Sequence, residues 1–182
     1  EQVDFSYLER PDLTFQDEFA FRNPPTVAVI GAIGQHKGSD IVYWLEEAIS
    51  LRTLNIRLVV IGYTDREQEP RVSHQGRFVL TGRYKPEELP ELLARYETAC
   101  TLFPSIWPET YLITVAEAHN AGYPAIVFDV GAPAARVRAT GGGWVVSAPY
   151  GVETFNLIQE LARSPRAIIK EAAILRSRRP TA

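Results

Sequence analysis

Thr26-Val27-Ala28-Val29-Ile30-Gly31-Ala32-Ile33-Gly34-Gln35-His36-Lys37-Gly38 passes from an unbroken apolar run into a glycine-rich turn carrying one lysine. A short β-branched run with no polar interruption, stopping at glycine, reads as a strand buried on both faces of a parallel sheet, here over 26–31. Behind the turn, Ile41, Val42, Trp44, Leu45, Ala48 and Ile49 recur at helical spacing over 39–51. Glu46 and Glu47 fall on the opposite face, so Trp44 reads as core and the two glutamates as solvated. Strand, tight turn and amphipathic helix in that order form the opening unit of a wound α/β sheet.

The alternation continues outward. Residues 56–62 and 77–82 read as strands, 86–96 as a helix with proline near its start, 100–103 as a strand, 110–121 as a helix and 125–128 as a strand. After Gly141-Gly142-Gly143 come a brief strand over 144–146, a helix over 152–162 and an arginine-rich helical tail from Arg166. Strands and helices at these short separations imply right-handed crossovers. The fold class expected is α/β, a doubly wound, Rossmann-like parallel sheet of about six strands with helices on both faces. Residues 1–25, mixed in polarity and ending Asn23-Pro24-Pro25, read as an arm or interdomain linker; 26–164 form the domain, and 165–182 a basic helical tail. Arg163, Arg166, Lys170, Arg176, Arg178 and Arg179 in that region read as a solvated face or a contact with another domain.

At 182 residues and 46% hydrophobic, the chain can bury one sizeable core. A net charge of -3 and a pI of about 5.7 encode no general attraction for nucleic acid or anionic lipid, so an anion site must be local. No apolar stretch reaches the roughly 18 residues of a spanning helix, and the N-terminus lacks the basic-then-apolar order of a signal peptide. The single cysteine, Cys100, lies in a buried-strand pattern and forms no internal disulfide, which favours a reducing compartment; the expected location is cytoplasmic. The chain opens at Glu1 and contains no methionine, so a segment of a longer protein is expected.

In such sheets ligands bind beyond the carboxyl ends of the strands. The turn Gly31 to Gly38, with Lys37 leading into a helix, lets backbone N–H groups approach a phosphate, and the helix end adds partial positive charge. It fits neither the P-loop order nor the dinucleotide spacing, and the second strand ends at Gly62-Tyr63 without the acid an NAD site wants, Asp65 being the nearest. The glycines could equally serve a tight turn, with Lys37 solvated. The loop Pro104-Ser105-Ile106-Trp107-Pro108-Glu109-Thr110-Tyr111 then enters a helix carrying Glu117. Eight helical steps put Glu117 roughly 12 Å beyond Glu109, a span that suits a diphosphate sugar. One carboxylate would take sugar hydroxyls and the other ribose hydroxyls, while N–H groups around Tyr111 and Leu112 face the phosphates. For an arbitrary pair, a charge at a helix N-terminus and an exposed helix glutamate is the competing reading.

From about Thr26 to Val146 the chain resembles the C-terminal domain of group 1, GT-B-fold glycosyltransferases. The resemblance rests on the turn ending Lys37-Gly38, Leu58-Val59-Val60-Ile61-Gly62, the Gly82 turn, Pro104-Ser105 through Glu109 to Glu117-Ala118, Ala121-Gly122-Tyr123-Pro124 and Gly131-Ala132-Pro133. It implies that Lys37 contacts the donor diphosphate, Glu109 the transferred sugar and Glu117 the ribose. Gly82-Arg83-Tyr84 would lie near the base, and Gly34, Thr110, Tyr111 and Leu112 would complete the donor site. The implied catalytic residues are Lys37 and Glu109, acting with retention of configuration on a glycan or lipid-linked acceptor held by a missing N-terminal domain. The donor is a nucleotide-diphosphate sugar, with no separate cofactor. Ala32, where the family commonly has arginine, and Leu112, where it has glycine, depart from the pattern.

Glycosyl transfer loads negative charge onto the departing diphosphate, so Lys37 and first-turn N–H groups would stabilise the leaving group, about 3 kcal/mol for one well-placed donor. No Asp-x-Asp pair occurs, and Asp65, Glu67 and Glu69 read as a solvated cluster, so no metal is expected. His36 could add a donor beside Lys37, and Trp107 could shape the sugar pocket. His74, His119 and Cys100 show no metal or nucleophile spacing. Two rival functions stay open: a nucleotide-sugar-binding or interaction module without turnover, and one half of a sugar-nucleotide epimerase.

Overall fold

The computed structural model describes residues 14–109, 113–148 and 150–178. Its centre is the pair β1 (Thr26–Ile33) and β2 (Arg57–Thr64), parallel and in register from Thr26↔Arg57 to Ile33↔Thr64. Both strands run two residues past the glycine at which the sequence pattern stops them, because Gly31 faces Gly62 across the ladder. A side chain at Gly62 would sit 2.0 Å from the Gly31 carbonyl oxygen, so the glycine pair lets the backbones stay together. The turn after β1 is therefore shorter than expected, Gly34 to Gly38 rather than Gly31 to Gly38.

From this pair the sheet grows outward on both sides. β3 (Arg71–Ser73), β4 (Phe78–Leu80), β5 (Thr98–Phe103), β6 (Ala125–Phe128) and β7 (Gly143–Val146) complete the order β3-β4-β2-β1-β5-β6-β7. The expected six parallel strands are present. The seventh, β3, is an antiparallel edge strand on β4 that has no apolar run to announce it. The helices are α1 (Ser39–Ser50), α2 (Leu89–Arg95), α3 (Ile113–Asn120), α4 (Gly131–Thr140), α5 (Tyr150–Arg163) and α6 (Pro165–Ser177). The sequence reading omitted α4, a run of small residues opened by Gly131 and Pro133 with only Pro133, Ala134 and Val137 buried. From β1 the chain steps toward β2 and β4, then returns past β1 to β5, β6 and β7. Right-handed crossovers in opposite directions place α1 on one face and α2, α3 and α4 on the other.

The core is continuous: Val29, Leu58, Val60, Leu102, Ile126 and Leu45 lie fully buried in one apolar cluster. Cys100 lies within it, and burial pushes its thiol up to about 12, which leaves it unreactive. Residues 14–25, read from the sequence as an arm, contribute Phe15 and Phe19 to this cluster. Their rings meet edge-on at 6.2 Å, and Phe15 meets Tyr123 at 5.4 Å. α6 buries Ile168, Ala172 and Leu175, and its Arg176 stacks on Phe15 and pairs with Asp17. Trp44, expected in the core, is 39% exposed and meets Phe155 edge-on along α5.

Glu46 is also placed differently from its sequence reading. It is buried on α1, where Arg71 of β3 holds it with two bonds of 2.8 and 2.9 Å; Ser73 donates at 3.0 Å and His74 lies at 3.1 Å. Arg71 also pairs with Glu67 at 2.7 Å, so Glu67 is structural rather than merely solvated. Burial alone would raise the Glu46 pKa, but the hydrogen bonds from Arg71 and Ser73 outweigh it and hold the carboxyl below the usual range. A carboxylate depressed on folding contributes stability above its ordinary pKa and loses it as pH falls through the folded value. Glu46→Gln should therefore cost about 2 kcal/mol in urea unfolding at pH 7. That difference should shrink below about pH 4.5. A variant as stable as the parent at pH 7 would remove this account of how β3 is fastened.

Candidate functional site

The order in which strands are added reverses between β1 and β5, which are parallel direct neighbours in the sheet. Their carboxyl ends form the switch-point crevice where an open α/β sheet takes its ligand. β1 delivers Gly34 and a 3-10 turn over Gln35–Lys37, and Gly38, at φ 77°, opens α1. β5 delivers Pro104 to Glu109. The two segments are bonded to each other: Ile106 N–H donates to the His36 carbonyl at 3.1 Å. Ser105 Oγ donates to Glu109 Oε1 at 2.8 Å and lies 3.3 Å from the His36 carbonyl. A third strand end joins from β6, where Ala132 N–H donates to the Glu109 carbonyl at 3.1 Å. Gly131, at φ 70°, passes so close that a Cβ there would lie 2.8 Å from the Glu109 carbonyl oxygen.

Lys37, Ser105, Glu109 and Thr114 line one cleft, floored by Ile30, Ile33 and Phe103. Lys37 and Glu109, the two residues singled out for chemistry, thus share a wall without forming an ion pair. The Lys37 ammonium has no hydrogen-bond or ion-pair partner among the described residues, while Ser105 holds the Glu109 carboxylate. An unpaired, half-buried ammonium at a helix entrance is an available anion contact, whereas one locked to Glu109 would not be. Ser105 is the residue that sequence reading quoted without giving a role. His36 is exposed, and its ring lies 6.4 Å from that of Trp107, itself 65% exposed, at the rim of the cleft.

Arg83 follows the buried Gly82 at the end of β4, lies over the Tyr63 ring at 4.5 Å and donates to Gln68 at 3.2 Å. Tyr84 is half-buried against the core. Glu117 lies half-buried on α3, one turn beyond Thr114, and takes part in the protein's own interactions. Thr110, Tyr111 and Leu112 lie outside the described residues, so the expected N–H face of the first turn is not placed. Ala32 pairs with Tyr63 and is exposed at the lip of β1. Ser39 Oγ donates to Asp65 at 3.3 Å, which turns that acid toward α1. No group of three or more His, Cys, Asp or Glu side chains is disposed to hold a metal among the described residues. No helix among them is long and apolar enough to cross a membrane.

His119, set aside in the sequence, is half-buried on α3, and its Nε2, itself shielded from solvent, has no hydrogen-bond partner among the described residues. Burial pushes its pKa down to about 4, reinforced by the charges of Arg136 and Arg178 and opposed by a hydrogen bond with the Gly142 backbone. An unfolded histidine titrates near 6.5, so between about pH 6.5 and 4 the unfolded chain binds the extra proton. Stability should fall across that window by about 3 kcal/mol. His119→Phe should flatten the pH dependence of the urea midpoint there, and an unchanged slope would assign it to other groups.

The family described as "Glycosyl transferases group 1" matches residues 12–174. The chain belongs to the group 1 glycosyl transferases. The match runs through both boundaries expected from the sequence, at 25/26 and at 164/165. Among solved structures, HepE of Anabaena in complex with UDP is 16% identical, with a TM-score of 0.66 over 96% of this chain and 48% of its own. WaaG, a glycosyltransferase involved in lipopolysaccharide biosynthesis, is 20% identical, with a TM-score of 0.61 over 97% of this chain and 47% of its own. Sucrose-phosphate synthase of Thermosynechococcus elongatus is 18% identical, with a TM-score of 0.64 over 85% and 40%. The chain spans less than half the length of each. At these identities the likeness is one of fold: a single Rossmann-like half of the GT-B architecture. No curated protein matches the chain.

Proposed function

We propose that this chain is the donor-binding unit of a metal-independent, retaining glycosyl transferase. It would take a nucleotide-diphosphate sugar and pass the sugar to a glycan or lipid-linked acceptor held by a second domain, in the cytoplasm. The bonds that tie the Lys37 turn to the Glu109 loop, with Lys37 left unpaired, carry this reading. They gather an ammonium, a carboxylate and a helix entrance at the switch point of the sheet, the complement a diphosphate and a sugar hydroxyl need. As the glycosidic bond stretches, Lys37 would neutralise charge gathering on the leaving diphosphate. Glu109, oriented by Ser105, would accept from hydroxyls of the sugar, Glu117 from the ribose, and Arg83 with Tyr84 would bound the base. Gly34 and the N–H groups of Thr110, Tyr111 and Leu112 would complete the phosphate contacts.

Calorimetric titration of the chain with UDP, GDP, ADP and dTDP and their sugars tests this. UDP, the nucleotide in the HepE structure, heads the panel. Selective binding of one nucleotide, with a further gain from its sugar, is the expected result. A second reading, a sugar-nucleotide-binding module without turnover, rests on Ala32, whose exposed position at the lip of the cleft offers no second cation. It keeps the binding and loses the gain from the sugar. No binding across the panel by folded chain would overturn both.

A further inference from the structure

At the opposite end of the sheet, where β1 and β2 begin, the surface forms a second, open cavity of about 430 Å³. This volume is within the range of small-ligand sites. Its polar lining comes from Arg22, Asn23, Arg52, Asn55, Gln159 and Arg163, and no carboxylate lines it. We infer that this cavity is a binding site for a phosphorylated sugar or polyol, separate from the donor crevice, with Arg52 and Arg163 holding the phosphate.

The charge arrangement supports this first. Arg22 is neutralised by Glu97 outside the lining. Arg52 and Arg163 make no side-chain hydrogen bond or ion pair among the described residues, though they share one concave wall. Both are exposed, so the potential they raise is that of a solvent-accessible groove, and guanidinium groups match phosphate oxygens in pairs. The helix α6 begins at Pro165, also on the wall, and adds the partial positive charge of its N-terminus.

Backbone conformation gives an independent sign. Arg52 sits at φ 58° in the left-handed region, just after the end of α1. Glycine or asparagine ordinarily closes a helix there, and an arginine costs roughly 1 kcal/mol in that conformation. The cost is met at a residue that faces the cavity, as strained residues at ligand sites do. Around the cations the amides are already ordered: Asn55 donates to Asn23 at 3.0 Å and accepts from Arg77 at 2.9 Å, and Gln159 Nε2 donates to the Thr53 carbonyl at 3.1 Å. With its Nε2 engaged, the Gln159 side chain has its amide oxygen left to accept from a hydroxyl.

The test is an amide NMR titration of the chain with glucose 6-phosphate, with glucose, and with phosphatidylcholine vesicles with or without phosphatidylglycerol. Glucose 6-phosphate should shift the amides of 52–55 and 163 where glucose does not. The double variant Arg52→Gly, Arg163→Gln relieves the backbone conformation while removing both charges, so it should fold. It should weaken that binding at least tenfold and leave UDP binding unchanged. Shifts produced only by phosphatidylglycerol vesicles, and lost in the variant, would assign the same phosphate site to a lipid headgroup. Silence at 52–55 and 163 with both sources, shifts confined to the Lys37 turn, or binding that the variant does not weaken would each overturn the inference.

Discussion

Lys37→Ala should weaken binding of a nucleoside diphosphate by ten- to a hundredfold while leaving the affinity for the corresponding nucleoside unchanged. The ammonium stands at the mouth of α1 with no partner among the described residues, so alanine removes a cation without breaking an internal bond. A hydrogen bond to a charged group contributes about 1.5–3 kcal/mol, which sets the range. Restricting the loss to phosphate-bearing ligands separates a phosphate contact from a general collapse of the cleft. Glu109→Gln should show the converse: the nucleoside diphosphate binds as before, and the gain brought by the sugar disappears. Calorimetry on both variants reads the two roles separately. If Lys37→Ala weakens nucleoside and nucleoside diphosphate alike, the lysine supports the turn instead of binding the ligand.

Much of the fold was legible because parallel strands buried on both faces read as unbroken apolar runs, and each predicted strand is present. What escaped was stabilised by something other than apolar periodicity. β3 is Arg71-Val72-Ser73, with Val72 exposed, and it is fastened through a charged network to a glutamate on α1. That network gave Glu46 the appearance of an outward-facing residue, since a buried carboxylate with a half-buried partner has the same helical position as a solvated one. α4 is six-tenths alanine, glycine and proline, with Val137 its one large apolar residue, and carries little amphipathic signal. Phe15 and Phe19 show only a four-residue spacing, too short to mark a packed segment, until Tyr123 and α6 are brought against them.

The candidate site divided in the same way. Glycine turns and loops at strand ends are local features, so Lys37 and Glu109 could be chosen from the chain alone. Their mutual placement depends on Ser105 and the His36 carbonyl, which are 69 residues apart and have no shared local pattern. The resemblance to the family supplied the order of the pieces. The hydrogen bonds between loops supply the reason the pieces meet.

Gly38→Ala should be among the most damaging single substitutions in the chain, at about 3 kcal/mol or roughly 10 °C in the thermal midpoint. Two costs add. At φ 77° an alanine pays about 1–2 kcal/mol for the left-handed conformation. Its Cβ would also lie 2.1 Å from the Pro104 carbonyl oxygen, and backbone cannot yield as a flexible side chain would. Gly76 separates the two contributions, because it has a similar φ of 83° with nothing within 4 Å of the same Cβ. Gly76→Ala should cost only about 1 kcal/mol, so the difference measures the close approach of the two loops. The same displacement would push Pro104 and Ser105 away from the Lys37 turn, so Gly38→Ala should also lose nucleotide affinity under conditions where it stays folded, and Gly76→Ala should not. Equal destabilisation by the two alanines would mean that the contact between the turn and Pro104 is slack, and that the crevice is not held by these loops.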